Sequence, residues 1–313
     1  MKIINYHFVR PIKNSNYSNI KGLELKQFCQ QLDFFAKNYI FLSSYDIIEI
    51  ICKGDELPIN GIWLTFDDGY KDHFTYVLPE LVKRNISATF FPPVQPIVEN
   101  SLLDVNAIHF ILASNNNEKE LISELKNECK NFGIGNLEFN EFWDNINKSR
   151  RMASIFDTKG VTFFKRMLQH TLDEKIRRNI MSKLFKKFVK RDIKEFSQEL
   201  YLSINDIKSM LSEGMTFGNH TYSHPWLSFL NYEEQLYEIE KSLSFLKKLG
   251  VNLNNWLMCY PYGDYNKDTI QILNKLESGL AVTTKVANAS LAQYTCFELP
   301  RYDTNDFIDH KNI

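Results

Sequence analysis

The chain has 313 residues, of which 44% are hydrophobic and 24% are charged, so it is long enough to bury one barrel-sized domain, or one domain with an insertion. These proportions are ordinary for a globular protein. The formal net charge of −1 gives no global electrostatic reason to expect nucleic acid or an acidic membrane as a partner.

The cellular context is predicted from the N-terminus and the cysteines. Residues 1–7 lack the long apolar region and cleavage site of a secretory signal, and no apolar run has the length of a membrane span. The five cysteines are widely spaced and form no CxxC pair, which is typical of reduced thiols. We therefore expect a cytoplasmic protein without a transmembrane segment, either free or peripheral to the inner face of the membrane.

Strand-like and helix-like segments alternate over the first hundred residues and again after residue 200. This alternation predicts an α/β protein with a parallel sheet, closed or open. The predicted strands are Lys2–Val9, Gly61–Phe66, Ser87–Phe91, Met215–Gly218, Trp256–Tyr260, Leu280–Thr284 and Phe297–Leu299. The predicted helices are residues 23–38, a helix from Ser44, Tyr70–Arg84, Ile204–Glu213 with a capping box at Ser203 and Asp206, and a helix from Asn231 to Gly250.

Residues 99–200 break this alternation and predict a largely helical insertion in a single domain that spans 1–313. Between Lys159 and Glu195 there are twelve Lys or Arg against four Asp or Glu. The simplest interpretation is a solvated helical face. The alternatives are a basic cap over a phosphorylated substrate or a surface that faces an anionic membrane.

Two adjacent aspartates, Asp67 and Asp68, follow the predicted strand Gly61–Phe66. Adjacent side chains on a continuing strand point to opposite faces, so the two can share a site only where the strand ends and the chain turns, which Gly69 permits. The carboxyl ends of parallel strands are where active sites are assembled. The alternative is an ordinary helix N-cap.

Two histidines four residues apart, His220 and His224, follow another predicted strand. On a helical turn this spacing places two imidazoles on one face, where they can bind one metal ion. Asp68 would complete a three-ligand site with room for water. A further histidine, His7, lies at the end of the first strand, where it is either structural or part of the same group of strand ends.

The segments Thr65-Phe66-Asp67-Asp68-Gly69-Tyr70 and His220-Thr221-Tyr222-Ser223-His224-Pro225 resemble the polysaccharide deacetylases with the NodB homology domain, carbohydrate esterase family 4. The resemblance covers residues 1–98 and 200–303. It implies a distorted (β/α)7 barrel, with Asp67 as the general base and Asp68, His220 and His224 as ligands of a divalent metal.

The chain departs from this family pattern at two places. Where many members carry Arg-Pro-Pro-Tyr-Gly, whose arginine orients the base, this chain has Cys259-Tyr260-Pro261-Tyr262-Gly263. The leucine-X-histidine strand that supplies the general acid is also missing. The first-strand Tyr6-His7 is similar to that of the permuted poly-N-acetylglucosamine deacetylases, which implies that His7 is the acid. Arg301 and Asp303 either replace the missing groups around the base or form a surface ion pair.

The resemblance implies a metal-dependent hydrolase that removes an N-acetyl group from an amino sugar in a glycan, a lipid-linked glycan or a sugar nucleotide. The metal is expected to be Zn²⁺, with Co²⁺, Ni²⁺ or Fe²⁺ as alternatives. A sugar N-deformylase, an O-deacetylase and a non-catalytic glycan-binding protein on a degenerate scaffold are the other hypotheses. Expected substrate contacts, besides Arg301 and Asp303, are Tyr70, whose neighbouring main-chain N–H would hold the oxyanion, and the aromatic residues Trp226 and Tyr262.

Overall fold

The computed structural model of the protein describes residues 1–13, 15–148 and 157–307. The chain divides into two compact units. The sheet unit consists of Met1–Pro11, Gly22–Asn100 and Gln198–Ile313, and the helical unit consists of Ile12–Lys21 and Ser101–Ser197. Among the described residues, no helix has both the length and the apolar character needed to cross a membrane.

The strands of the sheet unit pair in parallel, as the alternation of strands and helices predicts. One sheet has the order β10-β1-β5-β6-β7, with β4 also paired to β5, and β8 pairs with β9. The strands are β1 Lys2–Tyr6, β2 Val9–Arg10, β3 Leu23–Glu24, β4 Ile40–Phe41, β5 Gly61–Asp67, β6 Thr89–Phe91, β7 Thr216–Phe217, β8 Leu257–Cys259, β9 Leu280–Val282 and β10 Tyr302–Asp303.

Two single parallel bridges connect these sheets. Asn219, just after β7, pairs with Met258 in β8, and Val282 in β9 pairs with Leu299, just before β10. Strand pairing therefore runs from β1 through β5, β6, β7, β8, β9 and β10 and back to β1. This is the connectivity that a distorted seven-stranded barrel requires, and the prediction of an α/β fold with a parallel sheet is confirmed.

Helices connect the strands of the sheet unit. Four begin at capping boxes, among them Ser203 with Asp206 and Asn231 with Glu234, in which the side chain of each residue accepts a hydrogen bond from the backbone N–H of the other. Every residue of β5 is buried, as expected for a central parallel strand. The helices are α1 Leu25–Asn38, α2 Ser44–Lys53, α3 Leu78–Lys83, α4 Val94–Glu99, α11 Ile204–Ser212, α12 Tyr232–Lys248 and α13 Lys267–Lys275.

Two of the predicted elements differ in the structure. The strand predicted at Phe297–Leu299 is wrong, because only Leu299 makes a bridge and the strand that pairs with β1 is β10. The helix predicted over Tyr70–Arg84 contains a π-helical turn, His73–Val77, ahead of α3. Such turns insert one residue into the helical repeat and re-aim the side chains before them.

The helical unit is built from α5 Asp104–Ser114, α6 Glu118–Asn131, α7 Asn136–Lys148, α8 Lys159–Arg166, α9 Glu174–Phe188 and the first residues of α10 Ile193–Leu200. Within it, Lys183 and Lys187 of α9 form ion pairs with acidic residues of α6, and Arg177 pairs with Asp104. Part of the basic segment therefore bonds to the unit's own acidic residues.

Candidate metal centre and active site

Three side chains from distant parts of the sequence converge at the carboxyl ends of β5 and β7. Nε2 of His220 lies 3.5 Å from Oδ1 of Asp68, and Nε2 of His224 lies 3.4 Å from the same oxygen. One potential ligand atom from each residue lies within 4.8 Å of the others, and all three residues are buried. One carboxylate and two imidazoles are a donor set that a divalent cation such as Zn²⁺ accepts, with positions left for water.

The backbone places the two aspartates by turning sharply at the end of β5. Asp67 is the last strand residue, and Asp68 and Gly69 both have positive φ, 69° and 62°. A Cβ on Gly69 would approach the Pro92 side chain to 2.6 Å, so glycine is required here for conformation and for space. The turn allows neighbouring carboxylates to serve one site.

The histidine segment is a loop, and the prediction of a helical turn there is wrong. Thr221 and His224 have φ values of 63° and 61°, which breaks helical geometry. The backbone N–H of Thr221 donates to the Asn219 side chain, and that of His224 donates to the Thr221 hydroxyl. Nδ1 of His220 donates to the carbonyl of Cys259 at 2.8 Å, which leaves Nε2 as the nitrogen available to a metal.

Glu238 of α12 fixes this loop from outside. One carboxylate oxygen accepts the backbone N–H groups of Tyr222 and Ser223 at 2.9 and 2.7 Å, and the other accepts the Ser223 hydroxyl at 2.7 Å. Glu238 is itself buried. Two of the three residues between the histidines, Tyr222 and Ser223, therefore bond to the same carboxylate.

Replacing Glu238 with Ala is expected to weaken metal binding by about 10–100-fold, the usual effect of removing a partner that orients metal ligands. The reason is that two backbone donors between His220 and His224 lose their acceptor. Titration of the metal-free protein with Zn²⁺ measures the change. Glu238→Gln keeps an acceptor oxygen and is the control, and equal Zn²⁺ affinity in both variants would contradict this role.

The electrostatics of the cluster favour a bound cation. Burial, the largest influence, opposes the charged form of each group, yet the facing imidazoles hold the pKa of Asp68 well below its ordinary value. Against burial, Cys259 and Asp68 raise the pKa of His220 well above its ordinary value. Burial and the His220 charge lower the pKa of His224 to about 3. A buried carboxylate that needs positive charge beside it fits a divalent ion.

Asp67 lies beside the cluster and pairs with Arg301. The guanidinium donates to Oδ1 at 2.8 Å and to Oδ2 at 2.7 Å, and both side chains are almost completely buried. Burial would raise the pKa of Asp67, but Arg301 outweighs it and lowers that pKa to about 2. The interpretation of Arg301 as part of a surface ion pair is therefore wrong, because the residue is 1% exposed.

A second group of potential ligands, Asp67, His220 and Cys259, also lies within 4.8 Å. Both oxygens of Asp67 already accept hydrogen bonds from Arg301. Burial raises the pKa of the Cys259 thiol, whereas metal binding requires a thiolate. The set with Asp68 and His224 is therefore the better metal site.

His7 follows β1 and is exposed. Burial raises the pKa of Asp67, but the charges of Arg301, His220 and, as the smallest of these influences, His7 lower it, so His7 lies within electrostatic reach of that carboxylate. The backbone carbonyl of His7 accepts a hydrogen bond from Nε2 of fully buried His73 at 2.9 Å. Burial lowers the pKa of His73 to about 4, so this ring is neutral and supports the end of β1.

An aromatic stack adjoins the metal cluster. The rings of Trp226 and Tyr262 are stacked with centroids 4.5 Å apart and planes at 11°, and Tyr262 meets His224 edge-on at 4.6 Å. Tyr262 has a φ of 59°, unusual for a tyrosine, which indicates a constrained position. Both rings are partly exposed.

The other two predicted substrate contacts have different surroundings. Tyr70 is 1% exposed, donates from its hydroxyl to Oδ2 of Asp68 at 2.6 Å and stacks on Phe8, so its side chain orients the Asp68 carboxylate. Asp303 lies in β10, where it pairs in register with Asn5, and its backbone N–H donates to Asp306. A substrate contact by Asp303 stays a prediction.

Sequence reasoning missed Glu238, His73 and the main-chain carbonyl of Cys259. A signal for Glu238 was present, since the buried face of α12 includes polar residues at helical spacing, Gln235, Glu238 and Ser242. A main-chain carbonyl has no sequence signature, and the position of the His73 side chain depends on a π-helical turn.

Comparisons with known proteins agree with this geometry. The polysaccharide deacetylase profile matches residues 54–133 and 202–280. Similar solved structures include the Streptococcus pyogenes deacetylase PplD in complex with acetate (20% identity, TM-score 0.58, covering 97% of this chain and 91% of that chain). They also include the deacetylase domain of BpsB from Bordetella bronchiseptica (13% identity, TM-score 0.53, covering 97% of this chain and 95% of that chain). A third is IcaB from Ammonifex degensii (17% identity, TM-score 0.50, covering 96% of this chain and 85% of that chain). A search of curated protein sequences gave no match.

The structural similarities, all at low identity, establish the fold, which this chain shares with these proteins. The profile match covers half of the sequence and includes the Asp67-Asp68 and His220–His224 segments. The chain belongs to the polysaccharide deacetylase family.

Proposed function

We propose that the protein is a metal-dependent N-deacetylase of an amino sugar. The observation that carries this proposal is the buried cluster of Asp68, His220 and His224 with a second carboxylate, Asp67, beside it. Amide hydrolysis near neutral pH requires an activated water, a base and an acid. The site offers side chains for each of these tasks.

A divalent cation held by Asp68, His220 and His224 would polarise the acyl carbonyl and lower the pKa of the attacking water. Asp67 takes the proton of that water, since it is charged and its carboxylate is held in one orientation by Arg301. His7, exposed at the end of β1, donates a proton to the departing amine nitrogen.

The aromatic stack of Trp226 and Tyr262 supplies an apolar face next to His224 on which a sugar ring can lie. We propose an acetamido sugar as substrate, in a glycan or carried by a lipid or a nucleotide. A lipid- or nucleotide-linked substrate would place the reaction before export, in the cytoplasm, and five free cysteines support a reducing compartment. Zn²⁺ is the first metal to test, followed by Co²⁺, Ni²⁺ and Fe²⁺.

A glycan-binding protein on an inactive scaffold is the rival from another class. Binding alone has no need for a charged base beside a metal site. The buried pairing of Asp67 with Arg301 therefore favours the enzyme, because it keeps the carboxylate charged at a site where burial disfavours charge.

Metal-loaded protein is expected to release acetate from acetamido sugars, and a panel of free sugars, oligosaccharides and nucleotide conjugates tests this. Formamido and O-acetyl sugars are assayed in parallel, with the released acid identified chemically. Formate without acetate would reassign the protein as a deformylase, and release from the O-acetyl sugars alone as an O-deacetylase. Binding without any released acid would favour the glycan-binding alternative.

A further inference from the structure

We propose that Arg301 is the residue that orients the base, in place of the motif arginine, and that the small side chain of Cys259 leaves room for it. This inference rests on the proposed function, since it assigns Asp67 as the base. Its evidence is the complete set of contacts made by the guanidinium.

Every N–H of the Arg301 guanidinium has an acceptor. Nε donates to the carbonyl of Thr283 at 2.9 Å, and Nη1 donates to the Thr65 hydroxyl at 3.1 Å and to Asp67 at 2.8 Å. Nη2 donates to Asp67 at 2.7 Å and to the Cys259 sulfur at 3.3 Å. An arginine has five such donors, so none remains for a substrate. Arg301 is therefore a positioning residue and not a substrate contact.

The acceptors come from the ends of three strands. Thr65 and Asp67 belong to β5, Cys259 ends β8, and Thr283 directly follows β9. Thr65 in turn donates from its hydroxyl to the carbonyl of Ile4 in β1 at 2.7 Å. The planar guanidinium, itself held by these acceptors, donates a hydrogen bond to each oxygen of the Asp67 carboxylate and so fixes its orientation. A single ammonium group cannot do this.

The small Cys259 side chain leaves room for the guanidinium of Arg301. It stands at the first residue of the segment that carries arginine in the resembling motif, and its sulfur contacts the guanidinium of Arg301. A guanidinium from residue 259 and one from residue 301 would compete for the same carboxylate in a fully buried space. Only one can be present, so a small side chain at 259 accompanies the arginine at 301.

The exchange keeps the main-chain acceptor of the metal ligand His220. Cys259 orients His220 through its backbone carbonyl, which any residue at this position provides. A guanidinium can therefore be moved between positions 259 and 301 without removing the acceptor of His220. This makes a reciprocal exchange of the two side chains a direct test.

The test compares Arg301→Lys, Arg301→Cys and the double variant Cys259→Arg/Arg301→Cys with the wild type, by kcat, KM, zinc content and thermal unfolding. Arg301→Lys keeps the charge but not the fork, and is expected to lower kcat by about 10²-fold with KM and zinc content little changed. The kcat of the double variant is expected to be at least tenfold higher than that of Arg301→Cys.

A wild-type kcat in Arg301→Lys would overturn the proposal, because it would show that only a buried positive charge is needed. A folded, zinc-loaded double variant that is no faster than Arg301→Cys would also overturn it. If the single cysteine variant does not fold, the lysine variant still decides the question. A wild type that releases no acid from any substrate would instead remove the proposed function, and this role with it.

Discussion

Replacing Asp67 with Asn is expected to lower kcat by about 10²–10⁴-fold while the protein retains its zinc. An amide cannot accept the proton of the attacking water, yet it has nearly the same size as the carboxylate. Zinc remains because Asp67 is not among the proposed ligands, and its oxygens face Arg301. Acid release and zinc content, measured on the same preparation, check both parts.

The matched control for this variant is Asp55→Asn, at an exposed position after α2. It makes the same chemical change away from the site, and its kcat should equal that of the wild type. Circular dichroism confirms folding, since Asp67→Asn also removes the charge that balances Arg301. A zinc-loaded Asp67→Asn variant with wild-type kcat would contradict the role of Asp67 as base.

Replacing His224 with Ala is expected to abolish both stable zinc binding and turnover. One carboxylate and one imidazole remain, and the loss of a direct ligand should exceed the 10–100-fold loss of affinity that a supporting residue causes. His220→Ala is expected to behave in the same way, since His220 is the other proposed imidazole ligand. Metal analysis after gel filtration gives the zinc content of each variant.

The control for the histidine variants is His170→Ala, in the helical unit. This variant should bind zinc and release acid as the wild type does. Removal of zinc from the wild type by a chelator should reproduce the inactive state, and added Zn²⁺ should restore activity. Full activity of the His224→Ala variant without bound metal would exclude the proposed centre.

The positions of the site residues could be predicted because parallel strands share one edge. Asp67 ends β5, while His7 and His220 follow the ends of β1 and β7, and a sequence that alternates strands and helices brings such ends together. Asp68 could be placed beside Asp67 because Gly69 allows the chain to turn. These inferences used only local patterns and the geometry of the fold class.

The remaining features depend on contacts between distant residues. Arg301 and Asp67 are separated by 234 positions, and no local pattern distinguishes their buried pairing from a surface ion pair. The spacing of His220 and His224 is also compatible with a helix, and only the positive φ values of Thr221 and His224 show that a loop brings the rings together. Loop conformations of this kind are stabilised by tertiary partners such as Glu238.

We propose that Asp68, His220 and His224 bind one metal ion. Crystals grown with Zn²⁺, with diffraction measured on both sides of the zinc absorption edge, test it most directly. We expect one strong anomalous peak about 2.0–2.2 Å from an oxygen of Asp68 and from Nε2 of both histidines. A peak bounded instead by Asp67, His220 and Cys259, or no peak near these residues, would contradict it.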